Sequence, residues 1–152
     1  METAVIAVIG TLLGSMVTHV FQRRTTELTA ELTRAEQLRQ ERISAYSAFA
    51  GALVDYRRGQ NDRWHRAQET PGSSTAEEAR IDSYRLRSSA HQAWIRVQLV
   101  CDDPKALELA AAAFEVTNCM HEAPDEDDRS QRSEQARETL SEFIGAAAPS
   151  VR

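Results

Sequence analysis

Cysteine, proline and glycine are all scarce in this sequence. Its 152 residues include two cysteines, Cys101 and Cys119, with four prolines and six glycines. The two cysteines have no metal-binding spacing and make no disulfide framework, so we expect both to be small, reduced and buried thiols. So few turn-forming residues exclude an all-β fold, and a hydrophobic content of 41% excludes a disordered tail. The composition therefore favours one helical domain with a modest core.

Motifs for catalysis and for nucleic-acid binding are also missing. The formal net charge is −5, which argues against a protein that coats nucleic acid through its overall field. The chain contains no Gly-x-Ser-x-Gly elbow, no P-loop and no dinucleotide fingerprint. A di-metal bundle needs Glu-x-x-His on two helices, and the nearest match is a single Asp62-x-x-His65. We therefore predict that the protein is not an enzyme and has no catalytic residues, metal, cofactor or nucleic-acid partner.

One long uncharged run lies at the N-terminus. Residues 3–21 (TAVIAVIGTLLGSMVTHVF) would span roughly 28 Å as a helix, close to a bilayer core of about 30 Å. The alternatives are a buried soluble helix and a cleaved signal peptide, although a signal peptide would have positive charge before a shorter run. Glu2 precedes the run and Arg23 and Arg24 follow it, which orients the remainder into the cytoplasm. We predict a single-pass plasma-membrane protein with its anchor at residues 1–22.

Small residues line one face of the predicted span. Gly10, Gly14 and Thr18 recur every four residues, a spacing that lets two helix backbones approach closely in lipid. The pattern favours a homo-oligomer held through the span, or docking on another spanning helix. The alternative is that Gly, Ala and Thr are simply common in membrane helices.

The next segment predicts one long helix over residues 22–68. Its apolar positions recur at three- and four-residue spacing, the period of an amphipathic helix; they are Leu28, Leu32, Ala35, Tyr46, Phe49, Leu53 and Tyr56. Arg39 and Arg42 interrupt this stripe. We therefore predict a solvated or weakly coiled-coil stalk at residues 23–43 and a packed part after it.

Helix start signals predict two further helices in the middle of the chain. Ser74 and Glu77 form a capping box ahead of a helix over residues 75–100. Asp103 before a proline is the N-cap of a third helix that ends near residue 122. The positions expected to face inward are Ser83, Leu86, Ala90, Trp94, Val97 and Val100 on the second helix, and Leu107, Ala110, Phe114, Thr117 and His121 on the third.

The C-terminal part predicts an acidic loop at residues 125–129 and a fourth helix over residues 132–145, with a frayed tail at 149–152. The positions expected to face inward near this helix are Ala136, Leu140, Phe143 and Ala147. Four amphipathic segments with short connections favour an antiparallel four-helix bundle. We therefore predict an all-α protein with a cytoplasmic bundle at residues 44–148.

The most unusual local composition is an arginine-rich segment near the end of the long helix. Arginine offers planar donor forks and tryptophan offers contact area, so the segment is typical of a docking surface for an anionic protein partner. The candidate partner-binding residues are Arg57, Arg58, Arg63, Trp64 and Arg66, and Arg85 and Arg87 of the next helix would extend the set. The alternative is a solvated face, in which Asp55 and Asp62 pair with Arg58 and Arg66 while Tyr56 and Trp64 pack inward.

Three segments together resemble a known family. They are VIAVIGTLLGSMVTHVFQRR, LRQERISAYSAFAGALVDYRRGQNDRWHR and RVQLVCDDP. They resemble small membrane-anchored actinobacterial proteins named after the KilB protein of conjugative plasmids, over nearly the whole chain from residue 4 to about residue 144. The resemblance implies a membrane protein linked to plasmid spread between cells, and it assigns no role to any residue.

The leading hypothesis is a non-enzymatic single-span protein. Its cytoplasmic bundle would scaffold or recruit partners at the inner membrane, with an accessory role in plasmid transfer. The alternatives are a membrane-tethered signalling or regulatory module, a lytic or toxic membrane protein whose span permeabilises the bilayer, and a bundle that binds a metal or another ligand.

Overall fold

The computed structural model describes the backbone of residues 2–152 and the side chains of residues 22–24 and 26–152. In the described chain, all regular structure is helical, which confirms the all-α prediction: α1 (Glu2–Glu69), α2 (Ser74–Val100), α3 (Pro104–Asn118), a 3-10 helix (Cys119–Glu122), α4 (Glu126–Ala147) and a second 3-10 helix (Ala148–Val151).

Internal contacts divide the chain into two units, residues 1–38 and residues 39–152. None of the described residues forms an apolar helical stretch of membrane-crossing length. The predicted span at residues 3–21, with Gly10, Gly14 and Thr18, lies outside the residues whose side chains are described. The span and its small-residue face therefore stay predictions from the sequence.

The second unit is a four-helix bundle, as the short connections predicted. Arg42 on α1 contacts Val100 at the end of α2, and Gly59 faces Leu86, so α1 and α2 run antiparallel. The approach at Gly59 is close, because an added Cβ would lie 2.5 Å from Leu86 Cδ1. Arg42 also bonds Asp102 just before α3, and Trp64 contacts Ala123 beyond its end, so α3 runs parallel to α1.

The core follows the predicted stripe of α1 and the predicted inner face of α4. The ring of Phe143 makes edge contacts with Tyr46 and Phe49, at centroid distances of 5.8 and 5.3 Å. All four inward positions predicted near the fourth helix are buried: Ala136, Leu140, Phe143 and Ala147. Each fully buried large side chain stabilises the fold by roughly 1.5–3 kcal/mol relative to leaving it exposed.

The N-cap of α2 corrects the sequence prediction by one residue. Ser73 is extended, with φ −78° and ψ 162°, and its Oγ accepts a hydrogen bond of 3.1 Å from the backbone N–H of Ala76. Ser74 is already helical, and Glu77 pairs with Arg80 at 2.6 Å instead of forming a capping box. The predicted cap of α3 is confirmed, since Asp103 accepts from the backbone N–H of Lys105 at 2.9 Å.

The acidic stretch predicted as a loop is instead the start of α4. Asp125 is the N-cap, and its carboxylate accepts a hydrogen bond of 2.8 Å from the backbone N–H of Asp128. Acidic side chains in the first turn are stabilised by the positive end of the helix dipole. Arg132 Nε also lies 2.7 Å from Asp128 Oδ2, and Arg129 pairs with Glu126. The sequence analysis treated these acidic side chains as solvated, and it missed the backbone N–H groups and arginines that they bind.

The frayed tail predicted at residues 149–152 is also wrong. Residues Ala148–Val151 form a 3-10 helix, and Ser150 Oγ donates to Ala147 O at 2.8 Å. Arg39 Nε donates to Val151 O at 2.8 Å. Arg39 therefore holds the tail against the bundle.

Arg42 explains the second interruption in the apolar stripe of α1. Its Nε donates to Val100 O, which lies at the C-terminal end of α2, at 2.8 Å, and its Nη2 bonds Asp102. Helix C-termini leave carbonyl groups unsatisfied, and a nearby cation is favourable there. Arg42 thus joins the end of α2 to α1.

Candidate partner-binding site

The structure does not bring the five predicted partner-binding residues onto one face. Arg57 Nη1 lies 3.4 Å from Ser133 Oγ on α4, whereas Arg63 lies over the ring of Tyr84 on α2. Arg58 is exposed and lies about 140° around the helix axis from Arg63. The arginines of this segment therefore lie on three different sides of α1.

The positions of Arg66 and Trp64 agree with the alternative prediction, in which Arg66 pairs with Asp62 and Trp64 packs inward. Arg66 Nε lies 3.6 Å from Asp62 Oδ1, one helical turn earlier, and both side chains are exposed. Trp64 is buried, and its indole N–H donates to Ala123 O at 2.8 Å. Its ring packs inside the bundle beside the 3-10 helix, so Trp64 is not exposed to a partner.

A different set of residues converges at this end of the bundle. Arg63 of α1 and Arg80 of α2 each lie 5.4 Å from the ring centre of Tyr84. Together with Trp64 and His121 they line a groove of about 540 Å³, whose floor includes the α1–α2 turn. Tyr84 also borders a second groove with Arg87. We call the residues Arg63, Arg80, Tyr84, Arg87 and His121 the basic cleft.

Two guanidinium groups of the basic cleft have no carboxylate partner. Arg80 pairs with Glu77, but neither Arg63 nor Arg87 has a carboxylate within 4.0 Å among the described side chains. Both still act on the same buried neighbours, since the positive charges of Arg63 and Arg87 influence the pKa values of Tyr56 and His121. Arg63 of α1 and Arg87 of α2 also both border Tyr84, an arrangement of two guanidinium groups that suits an anionic group.

The pKa of His121 is lowered in this environment. Burial is the largest cause, and the charges of Arg63 and Arg87 add to it, while Asn118 O and Glu122 oppose it. A neutral imidazole therefore persists at neutral pH. Burial likewise raises the pKa of Tyr56 to about 12, so its hydroxyl stays protonated and donates to Asn118 Oδ1 at 2.9 Å.

A buried amide organises the groups under the cleft. Gln60 is fully buried, and its Nε2 lies 2.8 Å from Asn118 O, 3.2 Å from Thr117 O and 3.1 Å from the hydroxyl of Tyr56. His121 Nδ1 lies 2.9 Å from the same Asn118 carbonyl. These contacts fix the end of α3 against α1, and with it the position of His121 in the cleft. Sequence reasoning missed Gln60, because a polar residue in an apolar stripe resembles a solvated one.

Metal-ligating side chains do not cluster in the described part of the chain. No group of three or more His, Cys, Asp or Glu side chains lies together there in a way that would hold an ion. The expectation for the cysteines is confirmed in part. Both are free thiols, but Cys101 is buried and Cys119 is only half-buried.

Comparison with known proteins identifies the family. Residues 43–151 match the family model described as the KilB plasmid transfer protein. The chain belongs to the KilB family. The resemblance predicted from the sequence is thus confirmed. Protein KilB of Streptomyces lividans is 36% identical to it over 89 residues, which cover 59% of this chain and 58% of that relative. No solved structure matches the chain.

The region that matches the KilB family contains the whole basic cleft, whereas the predicted span precedes it. Among the cleft residues, Arg63 and Arg87 were expected from the sequence, and Arg80, Tyr84 and His121 were not. A signal for two of these was present: Arg80, Tyr84 and Arg87 are spaced by four and three, so they share one flank of α2.

Proposed function

We propose that this KilB-family protein is a non-enzymatic single-span membrane protein that recruits partners at the inner face of the plasma membrane. Residues 3–21 tether it, and the helical bundle docks a protein with an acidic surface in the basic cleft. Its role in plasmid transfer is accessory, because the protein supplies a binding surface and no chemistry.

The tether is supported by the sequence. The uncharged run at residues 3–21 has the length of a bilayer core, and Arg23 and Arg24 follow it directly. The recurrence of Gly10, Gly14 and Thr18 supports self-association within the bilayer.

The docking role rests on one observation: Arg63 and Arg87 both border Tyr84, and neither has a carboxylate partner among the side chains that the structure describes. A guanidinium binds a carboxylate through two parallel hydrogen bonds, and bonds to charged groups contribute about 1.5–3 kcal/mol each. Arg80 is less available because Glu77 holds it at 2.6 Å. The exposed ring of Tyr84 adds contact area between the cations.

A photo-crosslinking residue at Ala67 tests the docking role. Ala67 is exposed and lines the groove beside Arg63, so a docked protein lies within reach. In living cells, R63E/R87E should lower the yield of the crosslinked adduct by more than about tenfold, since each reversal removes a charge-assisted contact.

The matched control is R58E/R96E, which changes the same charge on the same two helices at exposed positions outside the cleft. It should keep the adduct. Equal loss in both variants would reduce the effect to net charge, and an unchanged adduct in R63E/R87E would remove the cleft from the proposal.

Self-association through the span has its own test. Gly10→Ile together with Gly14→Ile should weaken crosslinking between copies in membranes, because the added side chains keep the backbones apart. Val8→Ile together with Leu12→Ile is the control, which should leave crosslinking unchanged. Full crosslinking in both variants would contradict the role of the small residues.

A further inference from the structure

His121 is the member of the basic cleft whose charge can change near neutral pH. Its side chain is half-buried on the 3-10 helix and lines the groove with Arg63 and Arg80. A guanidinium stays charged at every pH that a cell experiences, whereas an imidazole gains or loses its proton between about pH 5 and 8. The part of the cleft's charge that varies with pH is therefore carried by His121.

The hydrogen bonds of His121 decide which ring nitrogen takes up the proton. Its Nδ1 lies 2.9 Å from Asn118 O, and a carbonyl only accepts, so Nδ1 carries the hydrogen of the neutral ring. Gln60 Nε2 lies farther from Nδ1, at 3.3 Å, and it already has carbonyl partners at 2.8 and 3.2 Å. The nitrogen of His121 that is left to take up a second proton is Nε2.

The surroundings of His121 oppose that second proton in the free protein. Burial is the largest cause of its lowered pKa, and the charges of Arg63 and Arg87 lower the pKa further, against Asn118 O and Glu122. The charged groups around the ring come from every neighbouring element: Arg63 of α1, Glu77, Arg80 and Arg87 of α2, Glu115 of α3, Glu122 of the 3-10 helix and Arg132 of α4. Glu77 and Arg80 pair with each other at 2.6 Å, so neither compensates Arg63 or Arg87.

A docked carboxylate would reverse this balance. It pairs with Arg63 and Arg87, so their positive charges are partly neutralised where they act on the imidazole. It also brings a negative charge to the groove that His121 lines, and an opposite charge within about 4–6 Å favours the protonated ring. Because linkage is reciprocal, protonation of the ring strengthens binding of the anion by the same factor.

We propose that docking of an acidic protein in the basic cleft is coupled to the uptake of one proton by Nε2 of His121, so that the cleft holds its partner more tightly as the pH falls. The inference rests on the proposed function, because it assigns a regulation to the same cleft. Docking raises the pKa of His121, so the affinity rises as the pH falls through the pKa of the docked state and levels off below the pKa of the free protein.

A titration of the full-length chain in detergent micelles tests the coupling. The probe is a rhodamine-labelled peptide of alternating aspartate and glycine, whose carboxylates stay ionised above about pH 5.5. Its Kd should fall by about fivefold from about pH 7.5 to about pH 5.5, the low end of typical couplings between two bound groups. The NMR signals of the His121 ring should also give a higher pKa with saturating peptide than without it, a readout that needs no substitution.

Two matched variants locate the proton. His121→Asn keeps an amide donor for Asn118 O but cannot titrate, so it should lose the pH dependence of the Kd. His91→Asn is the control, because His91 lines the neighbouring groove with Tyr84 and Arg87, and it should keep the full pH dependence.

The outcomes separate the coupling from the docking role. Peptide binding that is lost in R63E/R87E but whose Kd is independent of pH would overturn the coupling and leave docking in place. Failure of the peptide to bind at any pH would overturn both. A pH dependence that survives in His121→Asn, or that disappears in His91→Asn, would overturn the assignment of the proton to His121.

Discussion

Two parts of the long helix α1 have the same spacing of apolar residues but differ in whether these residues are buried. Over residues 22–38, all three leucines are exposed, and Leu32 is 72% exposed. Over residues 39–69, the predicted stripe lies in the centre of the bundle, and Leu53 is only 1% exposed. Periodicity therefore predicts that a segment is helical, but it does not say what covers the apolar stripe.

The boundary between these parts is marked by polar residues that contact backbone. Arg39 donates to Val151 O and Arg42 donates to Val100 O, both at 2.8 Å. Each arginine satisfies a carbonyl that a helix end leaves free. The interruption of the stripe is thus the first contact of the bundle rather than a defect in it.

The largest expected contrast comes from one substitution made in both parts. Leu53→Ala should lower the free energy of unfolding by about 2–5 kcal/mol, because it leaves a cavity in a packed core. Leu32→Ala should change it by less than about 0.5 kcal/mol, because its side chain is already exposed. Urea unfolding followed by the fluorescence of Trp64 and Trp94 reports on the bundle. Equal effects would abolish the distinction between the two parts.

A polar pair gives the next contrast. Gln60→Leu should cost roughly 2–4 kcal/mol, because the carbonyls of Thr117 and Asn118 lose a buried donor. Gln37→Leu, the same change at an exposed position, should be nearly neutral. The same unfolding experiment measures both. If Gln60→Leu were neutral, the buried amide would not be fixing the end of α3.

A third pair tests the boundary arginine. Arg42→Met removes the bonds to Val100 O and to Asp102 while keeping most of the stem, and it should cost about 1.5–3 kcal/mol. Arg34→Met, at an exposed position in the first part, should have little effect. A loss in Arg34→Met as large as in Arg42→Met would show that residues 22–38 also pack.

The smallest expected effect is a pH dependence of the stability of the bundle, which His121 causes. The pKa of His121 is lowered below its ordinary value of 6.5, so as the pH falls the unfolded chain takes up this proton before the folded chain does. Stability should therefore be full above about pH 6.5 and decline as the pH drops through the folded pKa. Unfolding curves of the wild-type chain and His121→Gln compare the slopes. An unchanged slope in His121→Gln would exclude His121 as the cause.

The fold was largely predictable from local signals, and the misses share one cause. The recurrence of apolar residues every three or four positions located four helices, and Asp103 marked the start of α3. The errors at Ser74, at residues 125–129 and at residues 149–152 arose where side chains bond local backbone or close neighbours. Such contacts depend on the orientation of each turn, which composition does not reveal.

The candidate site was harder to predict than the fold. Five residues of the arginine-rich segment are close in sequence, but a helix turns about 100° per residue and so points them in different directions. The basic cleft is instead assembled from α1, α2 and the 3-10 helix. Only the packing of these elements brings Arg63, Arg87 and His121 together.

Labelling of cysteines from outside intact cells tests most directly the claim that the chain is tethered with its bundle inside. Thr3→Cys lies at the first residue of the predicted span, on its outer end, and Ser141→Cys lies at an exposed position of α4. A maleimide that does not cross membranes should label the T3C chain in intact cells, and should label the S141C site only after the cells are opened. Labelling of the S141C site in intact cells, or recovery of a mature chain that begins after residue 21, would contradict the account.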